Sequence, residues 1–221
     1  MIDWRERAGE LTTIPNLVSL SRLPLIVLIV LLLDSVWRYP LFLLVVVSDG
    51  LDGWLARRLD QTSELGAMLD PALDKLTGVV LFFALFPRTG LPWEYLVLFF
   101  ARDLYVLSLG LLIPFTQIPD TSKIKARPLG KAVTNLQFFT LVAMLIPAPL
   151  ATEAFLWTLG VVSALAIADY VVFVARELTD VAWVHDRAGV AASYVGVGVV
   201  FAVVVYALLL DELAGFLATV P

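Results

Sequence analysis

Apolar residues run along this chain in stretches of membrane length, each ended by a short polar or Pro-containing break. A helix needs roughly 20 apolar residues to cross a bilayer core. On that measure the pattern predicts seven spans, at about 14–33, 37–58, 65–86, 92–114, 129–147, 151–176 and 189–210. The breaks carry turn chemistry, as in Pro87-Arg88-Thr89-Gly90-Leu91-Pro92 and Pro147-Ala148-Pro149. The longest internal polar stretch, Thr116 to Lys131, separates the fourth and fifth spans. The expected fold class is therefore all-α, a polytopic integral membrane helical bundle. The Gly-rich run of the last span (Gly189, Gly196, Gly198) fits either a continuous helix or a re-entrant one, its small residues serving close helix contact.

Composition narrows the function. The chain is 60% hydrophobic and 16% charged, against about 25% charged in a soluble domain. A net charge of −5 argues against a nucleic-acid partner. The charged opening MIDWRERAGE and the length of the apolar run behind it do not read as a cleavable signal peptide. The absence of cysteine excludes disulfides, thiol catalysis and Cys-based zinc sites, and the single histidine, His185, excludes a His-rich metal centre. Chemistry is left to carboxylates, Arg, Lys and backbone.

Charge also orients the bundle. With the N-terminus cytoplasmic, Arg5, Arg7, Arg57, Arg58, Lys123, Lys125, Arg127, Lys131, Arg176 and Arg187 fall at cytoplasmic ends, and only Arg38 and Arg88 fall outside. The C-terminus, with Asp211 and Glu212, is then external. Trp4, Trp37, Tyr39, Trp93, Tyr95 and Trp183 lie at span ends and are read as an interfacial belt.

Against this background one segment stands out: SDGLDGWLARRLDQTSELGAMLDPALDK, residues 48–75. An Asp at a helix centre costs about 2.5–3.5 kcal/mol to insert, so buried carboxylates usually mark a function. Asp49 and Asp52 lie three apart near the end of the second span, Asp70 and Asp74 four apart at the start of the third. Each spacing puts a pair on one helix face. A short turn makes the two spans antiparallel neighbours, so the four carboxylates can converge at one cytoplasm-facing depth. Such an all-oxygen cluster is what hard divalent cations require, and two Mg²⁺ or Mn²⁺ ions would balance its charge and clamp phosphate oxygens. Lys75 and Arg57 supply some positive charge, and Arg57 can pair bidentately with a phosphate. A calcium loop is excluded because Asp49-Gly50-Leu51-Asp52-Gly53 lacks its ligand spacing. Asp60 and Glu64 are read as capping or surface charges.

The pattern Asp49-x2-Asp52-Gly53-x2-Ala56-Arg57-x8-Gly66-x3-Asp70-x3-Asp74 resembles, position for position, the signature of the CDP-alcohol phosphotransferases. The resemblance implies a membrane enzyme that displaces CMP from a CDP-activated lipid with a polar alcohol. It makes Asp49, Asp52, Asp70 and Asp74 ligands of two divalent cations, with Asp74 also the general base. Asp52, Gly53, Ala56, Arg57 and Gly66 would contact the nucleotide. It further implies a six-span core over residues 13–177, preceded by a cytoplasmic segment (1–12) and followed by a connector and an added helix (178–221), in a homodimer in the cell membrane.

Other stretches bear on the acceptor. Ile14-Pro15-Asn16-Leu17-Val18-Ser19-Leu20-Ser21-Arg22 is similar to the opening helix of the glycerol-phosphate and cardiolipin branches, as are Asp70-Pro71-Ala72-Leu73-Asp74-Lys75 and Gly130-Lys131-Ala132-Val133-Thr134 with Gln137. A phosphate-bearing acceptor such as glycerol 3-phosphate or inositol phosphate needs cations, for which Arg102, Lys125, Arg127 and Lys131 are candidates. Lys123, Lys125 and Arg127 serve equally as topology signals. Arg102-Asp103 departs from the Arg-Glu usual in the glycerol-phosphate branch and matches the cardiolipin type, whose acceptor is phosphatidylglycerol. Asn16 and Arg22 either orient the residues near the nucleotide or snorkel to the interface. A transporter or channel is the alternative of a different class, but the charges cluster at one end and no internal repeat is visible.

Overall fold

The computed structural model describes residues 13–61, 64–112, 128–178 and 185–219. Among them are seven α-helices: α1 (Ile14–Leu31), α2 (Arg38–Arg58), α3 (Glu64–Leu85), α4 (Leu96–Leu112), α5 (Pro128–Leu145), α6 (Pro149–Leu178) and α7 (Arg187–Thr219). Each falls on one of the apolar runs. Pro15, Pro128 and Pro149 sit in first turns, where a missing N–H costs nothing. Among the described residues four helices, α1, α2, α6 and α7, contain a stretch long and apolar enough to cross a membrane, Arg187–Ala207 in the case of α7. Large apolar side chains stand exposed along them, among them Leu31, Leu43, Leu150 and Val195. Surface of that kind belongs against lipid, and the protein is an integral membrane protein. The seventh run forms one continuous helix, not a re-entrant one.

The chain divides into two compact units, residues 1–90 with 144–147, and 91–143 with 148–221. In the first, α1 packs on both α2 and α3. Its inward face carries Asn16, Ser19 and Arg22 in the first half and Ile26 and Ile29 in the second, at helical spacing. The apolar half belongs to a core with Phe42, Val45, Leu81 and Leu85, in which the Phe82 and Phe86 rings stack at 4.8 Å. At that end Arg88 donates to both Asp34 oxygens, at 2.5 and 3.2 Å. The guanidinium holds the Asp34 carboxyl below the usual carboxylate range, and Asp34 in turn raises Arg88.

In the second unit α6 packs on α4 and α7. The close approach is made at Gly160 of α6, where an added Cβ would lie 2.7 Å from Leu98 and 3.2 Å from Phe201. Gly196 and Gly198 of α7, expected to serve such contact, have nothing within 4 Å of an added Cβ. Tyr95 is likewise not an exposed belt residue: it is buried and meets Trp157 edge to face at 5.6 Å. Trp37, Tyr39 and Trp93 are exposed as a belt requires. Trp4 and Trp183 lie outside the described residues.

Candidate functional site

The polar half of the α1 face meets the four carboxylates. Ser19 Oγ donates to Asp52 Oδ2 at 2.7 Å and lies 3.2 Å from Asp70 Oδ1. One turn along, Arg22 Nη1 donates to Asp49 Oδ1 at 2.7 Å and stands 3.7 Å from Asp74 Oδ1, while Nη2 donates to Asp52 Oδ2. Because Ser19 faces Asp70 and Arg22 faces Asp74, α1 and α3 run parallel, with α2 antiparallel to both. All four carboxylates are thus gathered at one depth.

They are not equivalent. The Asp52 side chain is 5% exposed and also accepts the Gly53 N–H at 2.6 Å, whereas Asp49 and Asp74 are 52% and 56% exposed. Asp52 is the inner wall of the cluster; the other two face outward. The principal cation is Arg22, 1% exposed, where Lys75 and Arg57 had been expected to supply the charge. That burial excludes snorkelling. Asn16 is buried too, at 3%.

A cavity of about 190 Å³ opens beside the cluster. Asp52, Gly53, Ala56 and Arg57 of α2 line one wall, Asn16 and Ser19 of α1 another, with Gly66 and Asp70 from α3. Arg57 folds back across Gly53, where an added Cβ would stand 3.5 Å from its Nη1. Its neighbour Arg58 is engaged instead over the Trp54 ring. The cavity also takes in Gln61. Asp60 has a φ of 53° and the Gln61 N–H bonds back to Ala56 O at 3.0 Å, a helix-ending turn usually made with glycine. Asp60 therefore caps α2 through its backbone conformation. Pro71, next to Asp70 inside α3, removes one helical hydrogen bond and loosens the backbone there.

Among the described residues, no three acidic or imidazole side chains are placed to hold one ion together; the carboxylates are turned onto Ser19 and Arg22. The donor chemistry nevertheless fits hard divalent cations. It is all oxygen, with more negative charge than one guanidinium neutralises. The two helices that supply it each pack on α1 more than on each other, where the short turn between them had predicted direct neighbours.

Arg102 belongs to the second unit. Its guanidinium is 12% exposed, bonded to Asp103 at 3.0 Å and to Tyr170 Oη at 3.0 Å, beneath Gly130. Asp103 accepts in turn from Gln137 Nε2 at 2.7 Å. Lys131 is exposed on α5, and Lys125 and Arg127 lie outside the described residues. Ser19 and Gln61 were not singled out from sequence. The signal for Ser19 was present in the three-residue spacing of Asn16, Ser19 and Arg22 along an otherwise apolar helix; nothing in the pattern marked Gln61.

A family model, CDP-alcohol phosphatidyltransferase, matches residues 12–173, well over half of the chain. A cardiolipin synthase (CMP-forming) of Streptomyces coelicolor is 35% identical over 147 residues, covering 62% of this chain and 66% of its own. A CDP-diacylglycerol–glycerol-3-phosphate 3-phosphatidyltransferase of Aquifex aeolicus is 38% identical over 108 residues, 45% of this chain and 59% of its own. A Mycobacterium tuberculosis protein is 36% identical over 131 residues, 57% and 61% of the two chains. The chain thus spans less than two thirds of the length of these relatives.

Proposed function

The chain belongs to the CDP-alcohol phosphatidyltransferase family, and from that premise we propose that it moves the phospholipid moiety of a CDP-activated lipid onto a polar alcohol, releasing CMP. One observation carries the reading. The four motif carboxylates gather around Ser19 and Arg22 at the edge of a cavity walled by the motif's own Gly53, Ala56, Arg57 and Gly66.

Asp49, Asp52, Asp70 and Asp74 are the residues to hold two divalent cations, Mg²⁺ or Mn²⁺. When bound, these supply charge neutralisation for the diphosphate and the departing CMP. The rest falls to the chain's own residues. The cavity is smaller than the roughly 300–1,000 Å³ of a whole-ligand pocket, so it takes the nucleotide end while the lipid tails stay in the bilayer. Gly53, Ala56 and Gly66 let that end approach the backbone, and Arg57 forks onto its phosphate oxygens. Asp74, open on its outer side, accepts the proton of the acceptor hydroxyl. That oxygen bonds to the lipid-side phosphorus, the bond from this phosphorus to the bridging oxygen breaks, and CMP leaves with the electron pair. A general base contributes about 10²–10⁴ in rate, so orientation and charge neutralisation carry the larger share.

The acceptor in this reading is glycerol 3-phosphate, its phosphate met by Arg102, Lys125, Arg127 and Lys131. Phosphatidylglycerol is the second reading, favoured by the aspartate at position 103. The Lys/Arg asymmetry supports a cytoplasm-facing site in the cell membrane, and the family resemblance supports a homodimer. The test is purified protein given CDP-lipid, Mg²⁺ or Mn²⁺ and a panel of acceptors, scored by CMP release. Release with glycerol 3-phosphate alone, or phosphatidylglycerol alone, selects between the acceptors; none with any alcohol refutes the reading.

A further inference from the structure

We propose that Arg22 is a built-in counter-cation, neutralising the carboxylate cluster in the absence of divalent ions and competing with them for Asp49, Asp52 and Asp74. It stands on α1, outside the signature that carries the four aspartates. Its guanidinium is 1% exposed and directed at three of them, with Nη1 2.7 Å from Asp49 and 3.7 Å from Asp74 and Nη2 on Asp52. Arginine cannot shed its proton, so a buried guanidinium demands anions as firmly as the carboxylates demand cations. The pairing resolves the burial of the guanidinium and of Asp52, while Asp49 and Asp74 meet it from the exposed side. Its Nε is buried with no hydrogen-bond partner, so the side chain is committed to the aspartates through its two terminal nitrogens alone. Ser19 holds Asp52 and Asp70 from the same helix without adding charge. The cluster keeps an excess of negative charge, which attracts a divalent ion, while Arg22 already occupies the oxygens that ion needs.

A residue that only orients the ligands and one that competes for them predict opposite results on removal. Losing an orienting residue weakens ion binding; losing a competing charge strengthens it. The inference rests on the reading of the four aspartates as divalent-cation ligands, and the experiment separates the two. Full-length protein in detergent is stripped with EDTA and titrated with Mn²⁺ alone, following bound Mn²⁺ by its paramagnetic resonance and stability by thermal unfolding. Arg22→Met is expected to bind Mn²⁺ about tenfold more tightly, the scale of one like-charge interaction. Its ion-free melting temperature falls and Mn²⁺ restores it. Weaker or unchanged Mn²⁺ binding in Arg22→Met, or an unaltered ion-free melting temperature, overturns the proposal.

If Arg22→Met does not fold, Arg22→Met/Asp49→Asn removes an anion together with the cation and is expected to fold; failure of that pair to recover counts against charge compensation. Arg22→Lys, which keeps the charge but loses the fork, is expected to stay stable without ions. Wild-type protein that binds no Mn²⁺ refutes the cation-ligand reading itself, and the competition with it; wild-type binding that weakens in Arg22→Met refutes the role of Arg22 alone.

Discussion

Gly130→Ala tests the polar cluster of the second unit with a single added methyl. Its Cβ would lie 2.8 Å from Arg102 Nη2 and 2.8 Å from Tyr170 Oη, two atoms that are themselves 3.0 Å apart and hydrogen-bonded. Ordinary contact begins near 3.4 Å, so both atoms must retreat; each is the far end of a long side chain, and a retreat straight away from the Cβ lengthens the bond between them. A hydrogen bond to a charged group contributes about 1.5–3 kcal/mol. Overpacking by a methyl costs about 1–3 kcal/mol. Relief of one is achieved through loss of the other, so the two do not add, and the expected cost is about 1–3 kcal/mol. For a chain of this size that lowers the melting temperature by roughly 2–12 °C. The assay is thermal unfolding in detergent across a double-mutant cycle with Tyr170→Phe. Removing the hydroxyl clears half of the obstruction, so Gly130→Ala should cost at least about 0.5 kcal/mol less in the Tyr170→Phe background. Strictly additive costs would refute the geometry. The Michaelis constant for the acceptor should rise in Gly130→Ala while that for CDP-lipid holds, if Arg102 meets the acceptor phosphate.

The first unit yields further tests. Asp74→Asn should abolish CMP release with the protein still folded by size-exclusion chromatography; retained turnover excludes Asp74 as the base. Ser19→Ala removes a buried donor from Asp52 and should cost about 1–2 kcal/mol, read as a lowered melting temperature; no loss means the hydroxyl is not holding Asp52. EDTA should stop CMP release and Mg²⁺ or Mn²⁺ restore it, with helical circular dichroism constant throughout. At the opposite end, the depressed Asp34 carboxyl contributes stability above the ordinary carboxylate value of 3.8 and loses it as pH falls through the lower folded value. Asp34→Asn should therefore differ little from wild type in strong acid; a gap that widens on acidification contradicts the Arg88 pairing.

Much of the architecture was written in the period of the apolar runs, because lipid tolerates few alternatives to a closed helix. The pairing of the carboxylates was legible in their three- and four-residue spacings, but the route by which the pairs meet was not: the short turn suggested direct neighbours, and α2 and α3 instead each pack on α1. Arg22 was less legible. A lone cation in the first half of a span reads the same whether it reaches outward to water or inward to an anion, and only the packing of α1 between α2 and α3 decides. Gly160 illustrates the same limit. The Gly-rich segment of α7 advertised close contact, yet the contact is made by a single glycine on α6 opposite Phe201. Which helix supplies the small residue depends on the partner's bulk, and that is a property of pairs. Asp60 escaped for a related reason: its side chain suggested a capping charge, but its role is a backbone angle.

The burial of Arg22 has a consequence for how the protein is made. α1 leaves the ribosome before α2 and α3, so the guanidinium reaches the translocon ahead of the aspartates that neutralise it. An unpaired Arg at a span centre costs about 2.5–3.5 kcal/mol on the insertion scale. Arg22 is the ninth of the 18 residues of α1, at the middle of the span, so that cost falls in full on the interval before the aspartates arrive. The aspartates of α2 and α3 then meet a positive charge already waiting in the membrane, so the first helix acts as the template on which its two successors assemble.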